Sequence, residues 1–196
     1  ILPLHLIIVL LTIIPIVFIS KSYDWYKLFL NVTLLFGFVN PHAYIAMGAW
    51  SIGNEMVYYL LTPIILVAYN YKKYVGNFIL LVSLVCGLYY AFFGLSSTES
   101  LANQWRIYIN PFNNFFLYVA GIAIYYNYSE LKVNQWLLFV ILTITVAIFI
   151  ILPYKDAISI TTGINRLIYS VLSFILVLCF YKINVMKLSL IGKLFE

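Results

Sequence analysis

Long apolar runs separated by short polar breaks set the pattern of this chain. The runs cover residues 1–20, 28–39, 50–71, 77–95, 112–128, 134–153 and 167–181, and a single acid, Glu55, lies inside one of them. A helix rises about 1.5 Å per residue and hydrocarbon is about 30 Å thick, so residues 28–39 are too short to cross it. That stretch also ends at Asn40-Pro41-His42, a turn signal, and reads as a re-entrant or interfacial helix. The other runs read as about six crossings, with the start of a seventh after Lys187. Both faces of each run are apolar, which disfavours the alternating pattern of a transmembrane β-barrel. The expected fold is therefore all-α: a polytopic transmembrane helix bundle of about six crossings plus one short helix. Pro3 and Pro15 are kink sites in the first run.

Composition narrows the class further. The chain is 65% hydrophobic and 9% charged, with mean hydropathy +1.03. A water-soluble globular domain, a disordered chain and a disulfide scaffold are all excluded. The net charge of +5 comes from 11 scattered basic residues, of which only Lys72-Lys73 are adjacent. No basic stripe exists, so no nucleic-acid partner is expected.

Basic residues instead orient the bundle. With the first run leading outward, Lys72-Lys73, Lys132, Lys182, Lys187 and Lys193 fall in inner loops. Lys21, Lys27, Arg106, Lys155 and Arg166 fall in outer ones, a weak bias of the right sign. Tyrosines and tryptophans cluster at run ends, as in an aromatic belt, with sugar stacking the sharper reading for the outer ones. Cys86 and Cys179 read as small buried hydrophobes. Ile1 lies inside an apolar run and Leu190–Glu196 resembles the opening of another. An internal stretch of a longer protein is expected, forming one domain.

Glu55 carries the most information. An acid in a membrane-length run is costly unless it faces a cavity or a partner. Ser51 and Tyr59 lie four residues either side and Tyr58 three on, so all four are expected on one helix face. Gly48, Ala49 and Gly53 allow close backbone approach, and Pro63 frees the carbonyl of Tyr59. The picture is a cavity wall; the plainer reading is a buried Glu that only ties helices together.

Trp50-Ser51-Ile52-Gly53-Asn54-Glu55-Met56-Val57-Tyr58-Tyr59-Leu60-Leu61-Thr62-Pro63 resembles the W-S-L-S-x-E-x-x-F-Y-L-L-x-P signature of the acyltransferase 3 family. These are integral membrane enzymes that O-acylate cell-surface glycans. Gly53 stands for the second Ser and Tyr58 for the aromatic Phe. Ile1-Leu2-Pro3-Leu4 is similar to the segment after the family's R-x-x-R motif. Residues 110–121 resemble its P-x-R-x-x-E-F-L-L-G-M segment, with Asn113 and Asn114 at positions commonly charged. Residues 188–193 resemble its L-x-x-I-G-K.

The resemblance implies that residues 1–196 are the central part of one membrane acyltransferase domain, truncated at both ends. It implies transfer of an acyl group, with acetyl expected, from acyl-CoA to a sugar hydroxyl of a surface polysaccharide or lipid-linked glycan. Glu55 would orient or hydrogen-bond groups in the cavity, while the general base, a His with its Arg partner, would lie before Ile1. The isolated segment is then expected to be inactive. Trp50, Ser51, Tyr58 and Tyr59 are candidate substrate contacts. Expected partners are membrane lipid, the glycan acceptor and acyl-CoA as donor co-substrate. The expected location is a multi-pass cell membrane, a bacterial inner membrane in particular.

His42 and Asn110, at turn signals near the outer mouth, are further candidate contacts. Arg106 is a candidate for an acidic sugar or lipid-linked phosphate, against the plainer reading of a snorkelling anchor; Arg166 is a weaker candidate of the same kind. His5 reads as structural. No C-x-x-C, H-E-x-x-H, G-x-S-x-G or phosphate-cradling loop occurs, and no metal is expected. The alternative function is a polysaccharide transporter or flippase, which needs a polar pathway and usually several buried charges.

Overall fold

The computed structural model describes residues 2–20, 23–153 and 155–183. The possible opening of a further helix after Lys187 and the 188–193 motif lie outside them. Among the described residues the regular structure is all helix, with no strand, as the two-sided apolar runs require. The elements are α1 (Leu2–Ser20), α2 (Trp25–Val32), α3 (Phe36–Val39), a 3-10 turn (Pro41–Ala43), α4 (Trp50–Tyr71) and α5 (Lys73–Tyr89), which closes in a π-helical turn (Tyr90–Gly94). They continue with α6 (Trp105–Tyr108), α7 (Pro111–Tyr128), α8 (Gln135–Ile151), α9 (Ala157–Thr161) and α10 (Gly163–Lys182). Five segments are long and apolar enough to cross a membrane: Leu2–Ile19, Trp50–Tyr71, Lys73–Gly94, Trp105–Tyr128 and Gly163–Lys182. The shorter α8 is apolar as well.

Side-chain contacts fix how the helices lie. α4 and α7 run parallel. Trp50 packs on Tyr108, Tyr58 stacks on Tyr118 at 5.1 Å, and Tyr69 stacks on Tyr126 at 4.5 Å. α5 runs antiparallel to α7, with Gly87 against Phe116 at one end and Asn77 paired with Asn127 at the other. α8 and α10 are antiparallel too: Phe149 meets Tyr169, and Gln135 Nε2 donates to the Lys182 carbonyl. One apolar core, Ile65, Tyr69, Val119 and Ala123, holds α4 on α7.

The second core, Leu30, Leu34, Phe36, Ala46 and Ala49, belongs to the short helices. The expected short element is broken in two, because Leu34 adopts φ 60° between α2 and α3. Glycine usually holds that left-handed position at a helix end. Leucine holds it here because its side chain is buried in this core. Asn31 then ties the element down. Its side chain donates to the Lys27 and Ala43 carbonyls and accepts from Ile45 N, all within 2.9 Å.

α1 joins this group through one stripe: His5, Val9 and Ile13, four residues apart, are its buried positions. His5 Nε2 donates to the Asn31 carbonyl at 3.1 Å, which matches the structural reading of His5. α3 crosses α4 backbone to backbone: a Cβ on Gly37 would stand 2.3 Å from the Gly53 carbonyl oxygen. Gly53 thus makes the close approach expected of it. Gly48, at φ 82°, serves a turn instead.

One boundary differs with consequence. Charge predicts a last run that opens only after Arg166, but α10 begins at Gly163 and takes Arg166 inside, 5% exposed. The Thr161 carbonyl and, across from α7, the Asn113 carbonyl satisfy part of the guanidinium, so the helix does not need to stop before it.

Candidate functional site

α4 carries the signature residues, and its packing decides where each one points. Phe36 and Gly37 lie against Gly53, on the side of α4 that faces the short helices. Glu55 borders a cleft of about 490 Å³ on that same side. The cleft is walled by Leu2 of α1, by Val32, Thr33 and Leu34 at the α2–α3 break, and by Ile52, Met56 and Tyr59 of α4. Glu55 is partly buried. Its one hydrogen bond among the described residues is from the Tyr59 hydroxyl to Oε2, at a long 3.5 Å. Such a carboxylate keeps most of its acceptor capacity for another group.

The walls of the cleft are mainly hydrocarbon. A strained residue lines it as well: Leu34, in the left-handed region, forms part of the wall. Backbone strain held by buried packing is a recurrent feature of functional clefts.

Tyr58 does not join Glu55. It turns to α7, donates its hydroxyl to the Pro111 carbonyl at 2.7 Å and packs on Phe115 and Tyr118. Three residues on a helix is a rotation of about −60° and four about +40°, so Tyr58 and Tyr59 diverge by about 100°. Ser51 donates to the Gly48 carbonyl at 3.0 Å and does not line the cleft.

The remaining expected contacts gather at the end of the bundle where α4 and α7 begin. Trp50 meets Trp105 edge-on at 5.6 Å and Tyr108 at 5.8 Å. Trp105 Nε1 donates to the Tyr44 hydroxyl, and the Tyr44 ring lies 6.1 Å from the exposed His42. Arg106 follows Trp105 in α6 and is exposed. Asn110 caps α7, accepting from Phe112 N at 3.0 Å, so its side-chain oxygen already has a structural task. The candidates therefore divide into a Glu55–Tyr59 cleft and an aromatic cluster around Trp50.

Tyr44 and Tyr108, which complete that cluster, were not singled out in the sequence. Belt tyrosines and cluster tyrosines share the same position at run ends. Comparison with family models, curated proteins and solved structures returns no match.

Proposed function

We propose that this chain is the central part of a membrane O-acyltransferase, transferring an acyl group, acetyl in particular, from acyl-CoA to a sugar hydroxyl. The observation that carries the reading is Glu55: a carboxylate with spare acceptor capacity beside a largely apolar cleft. It sits in a fourteen-residue segment that resembles an acyltransferase signature.

Acyl transfer to an alcohol needs a base for the hydroxyl proton and donors for the developing oxyanion. A carboxylate accepts hydrogen bonds through both oxygens. In this reading Glu55 orients a proton-bearing partner, with the Tyr59 hydroxyl beside it. The apolar walls suit the acyl group and its thioester; the sugar, rich in hydroxyls, suits the aromatic end of the bundle around Trp50, where ring faces can stack on it.

The test uses membranes that contain the full-length protein and acetyl-CoA labelled in the acetyl group. Transfer of label to a glycan is the expected result. A protein that moves glycan across the membrane and ignores acetyl-CoA would overturn the proposal in favour of a transporter.

A further inference from the structure

Arg166 is a second ionisable group inside the bundle, and the cavity beside it shares no residue with the Glu55 cleft. Nη1 donates to the Thr161 carbonyl, and Nη2 to the Asn113 carbonyl and to Asn114 Oδ1. The Phe116 ring centre lies 5.6 Å from Cζ. Every one of these acceptors is neutral. The Nε hydrogen and one Nη1 hydrogen have no hydrogen bond among the described residues. A guanidinium does not lose its proton in proteins, so among the described residues burial here leaves a cation without a counter-charge.

The cavity, about 170 Å³, is bordered by Tyr108, Asn113, Thr161, Arg166, Ser170 and Ser173 among others. Two features mark it as prepared for a ligand. Helical hydroxyls commonly bond back to a carbonyl three or four residues earlier. Thr12, Thr62, Thr145 and Ser83 do so here. Ser170 and Ser173 make no hydrogen bond among the described residues, although both border the cavity. Asn113, 1% exposed, is oriented by its Nδ2 bond to the Tyr108 carbonyl. That leaves its Oδ1 buried with no donor.

We propose that this cavity binds a phosphate group that carries a neighbouring hydroxyl. The phosphate oxygens accept from Arg166, Ser170 and Ser173, and the ligand hydroxyl donates to the side-chain oxygen of Asn114, a residue that borders the same cavity. One cation and two hydroxyls make three donor groups, which suits a tetrahedral oxyanion better than a two-oxygen carboxylate. At about 30 Å³ per water-sized group, the cavity holds about six such groups, room for a phosphate and the adjoining part of a short polyol but not for a nucleotide. This is the chemistry of glycerol phosphate, met as a soluble ester or as a glycerophospholipid headgroup. Tyr108 links the cavity to the Trp50–Trp105 cluster, and such aromatics gather at headgroup level.

The test has two arms on the full-length protein in phosphatidylcholine nanodiscs. In the first, glycerol 3-phosphate is titrated and binding is read by calorimetry. In the second, phosphatidylglycerol is mixed into the bilayer and retained lipid is read by native mass spectrometry. Saturable binding in the first arm identifies the soluble ester; selective retention in the second identifies the headgroup. Arg166→Lys should weaken whichever probe binds by about tenfold, because one ammonium cannot keep the carbonyl contacts and still donate to the phosphate. Ser170→Leu, which fills the cavity and breaks no hydrogen bond of the fold, should abolish it. Binding unchanged in folded Ser170→Leu protein, or no binding of either probe to the unaltered protein, overturns the assignment.

Discussion

Gly37 and Gly53 are where single atoms matter most for the shape of the cleft. A methyl group on Gly37 would meet the Gly53 carbonyl oxygen at 2.3 Å, and backbone cannot swing aside. Gly37→Ala should therefore cost about 1–3 kcal/mol by overpacking and lower the melting midpoint in detergent by several degrees. Gly121→Ala is the control: nothing lies within 4 Å of its would-be Cβ. It should hold or raise the midpoint, since alanine is favoured over glycine in a helix by up to about 1 kcal/mol. Equal losses in the two variants would contradict the close crossing. The same contact accounts for glycine where the resembled signature has its second Ser, because a Cβ at Gly53 would stand 2.4 Å from the Phe36 ring. Glu55 was legible in the sequence because an acid inside an apolar run has no trivial reading. Arg166 was read as loop because it stands at the edge of its run. Burial at an edge depends on what packs there, here the first turn of α7, and no local pattern encodes that.

At the scale of elements, polar side chains lock the apolar helices in register. Asn31 is fully buried and holds three backbone groups of α2 and the following loop. Asn31→Leu keeps the size but leaves those groups unpaired, at about 1–3 kcal/mol for each one that water cannot reach. Protease cleavage between residues 40 and 49 should become faster; an unchanged rate would contradict the role of Asn31. At the other end of the bundle Asn77 and Asn127 exchange amide hydrogen bonds at 3.2 and 2.8 Å. Asn77→Ala and Asn127→Ala should be non-additive by roughly 0.6–2 kcal/mol in a double-mutant cycle of thermal stability. Helix positions were legible from hydropathy to within a few residues. Helix neighbours were not, since a lipid-compatible surface is apolar all round and gives no facing stripe; the parallel packing of α4 on α7 rests on tyrosine and threonine contacts that periodicity does not mark.

For the whole molecule, taking Arg166 out of the loops leaves Lys21, Lys27, Arg106 and Lys155 on the side expected to face outward. That sharpens the basic-residue bias towards Lys72-Lys73, Lys132 and Lys182. In a background where Cys86 and Cys179 are serine, Ser97→Cys should react with a membrane-impermeant thiol reagent added outside cells, and Lys73→Cys only after lysis. The reverse pattern would invert the assignment and put the Trp50 cluster in the cytoplasm. The proposed account puts the donor thioester near Glu55 and the acceptor sugar near Trp50. Its central claim is that the Glu55 carboxylate takes part in acyl transfer. The most direct measurement is glycan O-acetylation by cells carrying full-length Glu55→Gln protein, normalised to the amount of protein in the membrane. The account predicts a fall of about 100-fold or more, as for loss of a positioned acid–base group, with membrane levels maintained. O-acetylation equal to that of the unaltered protein would contradict it.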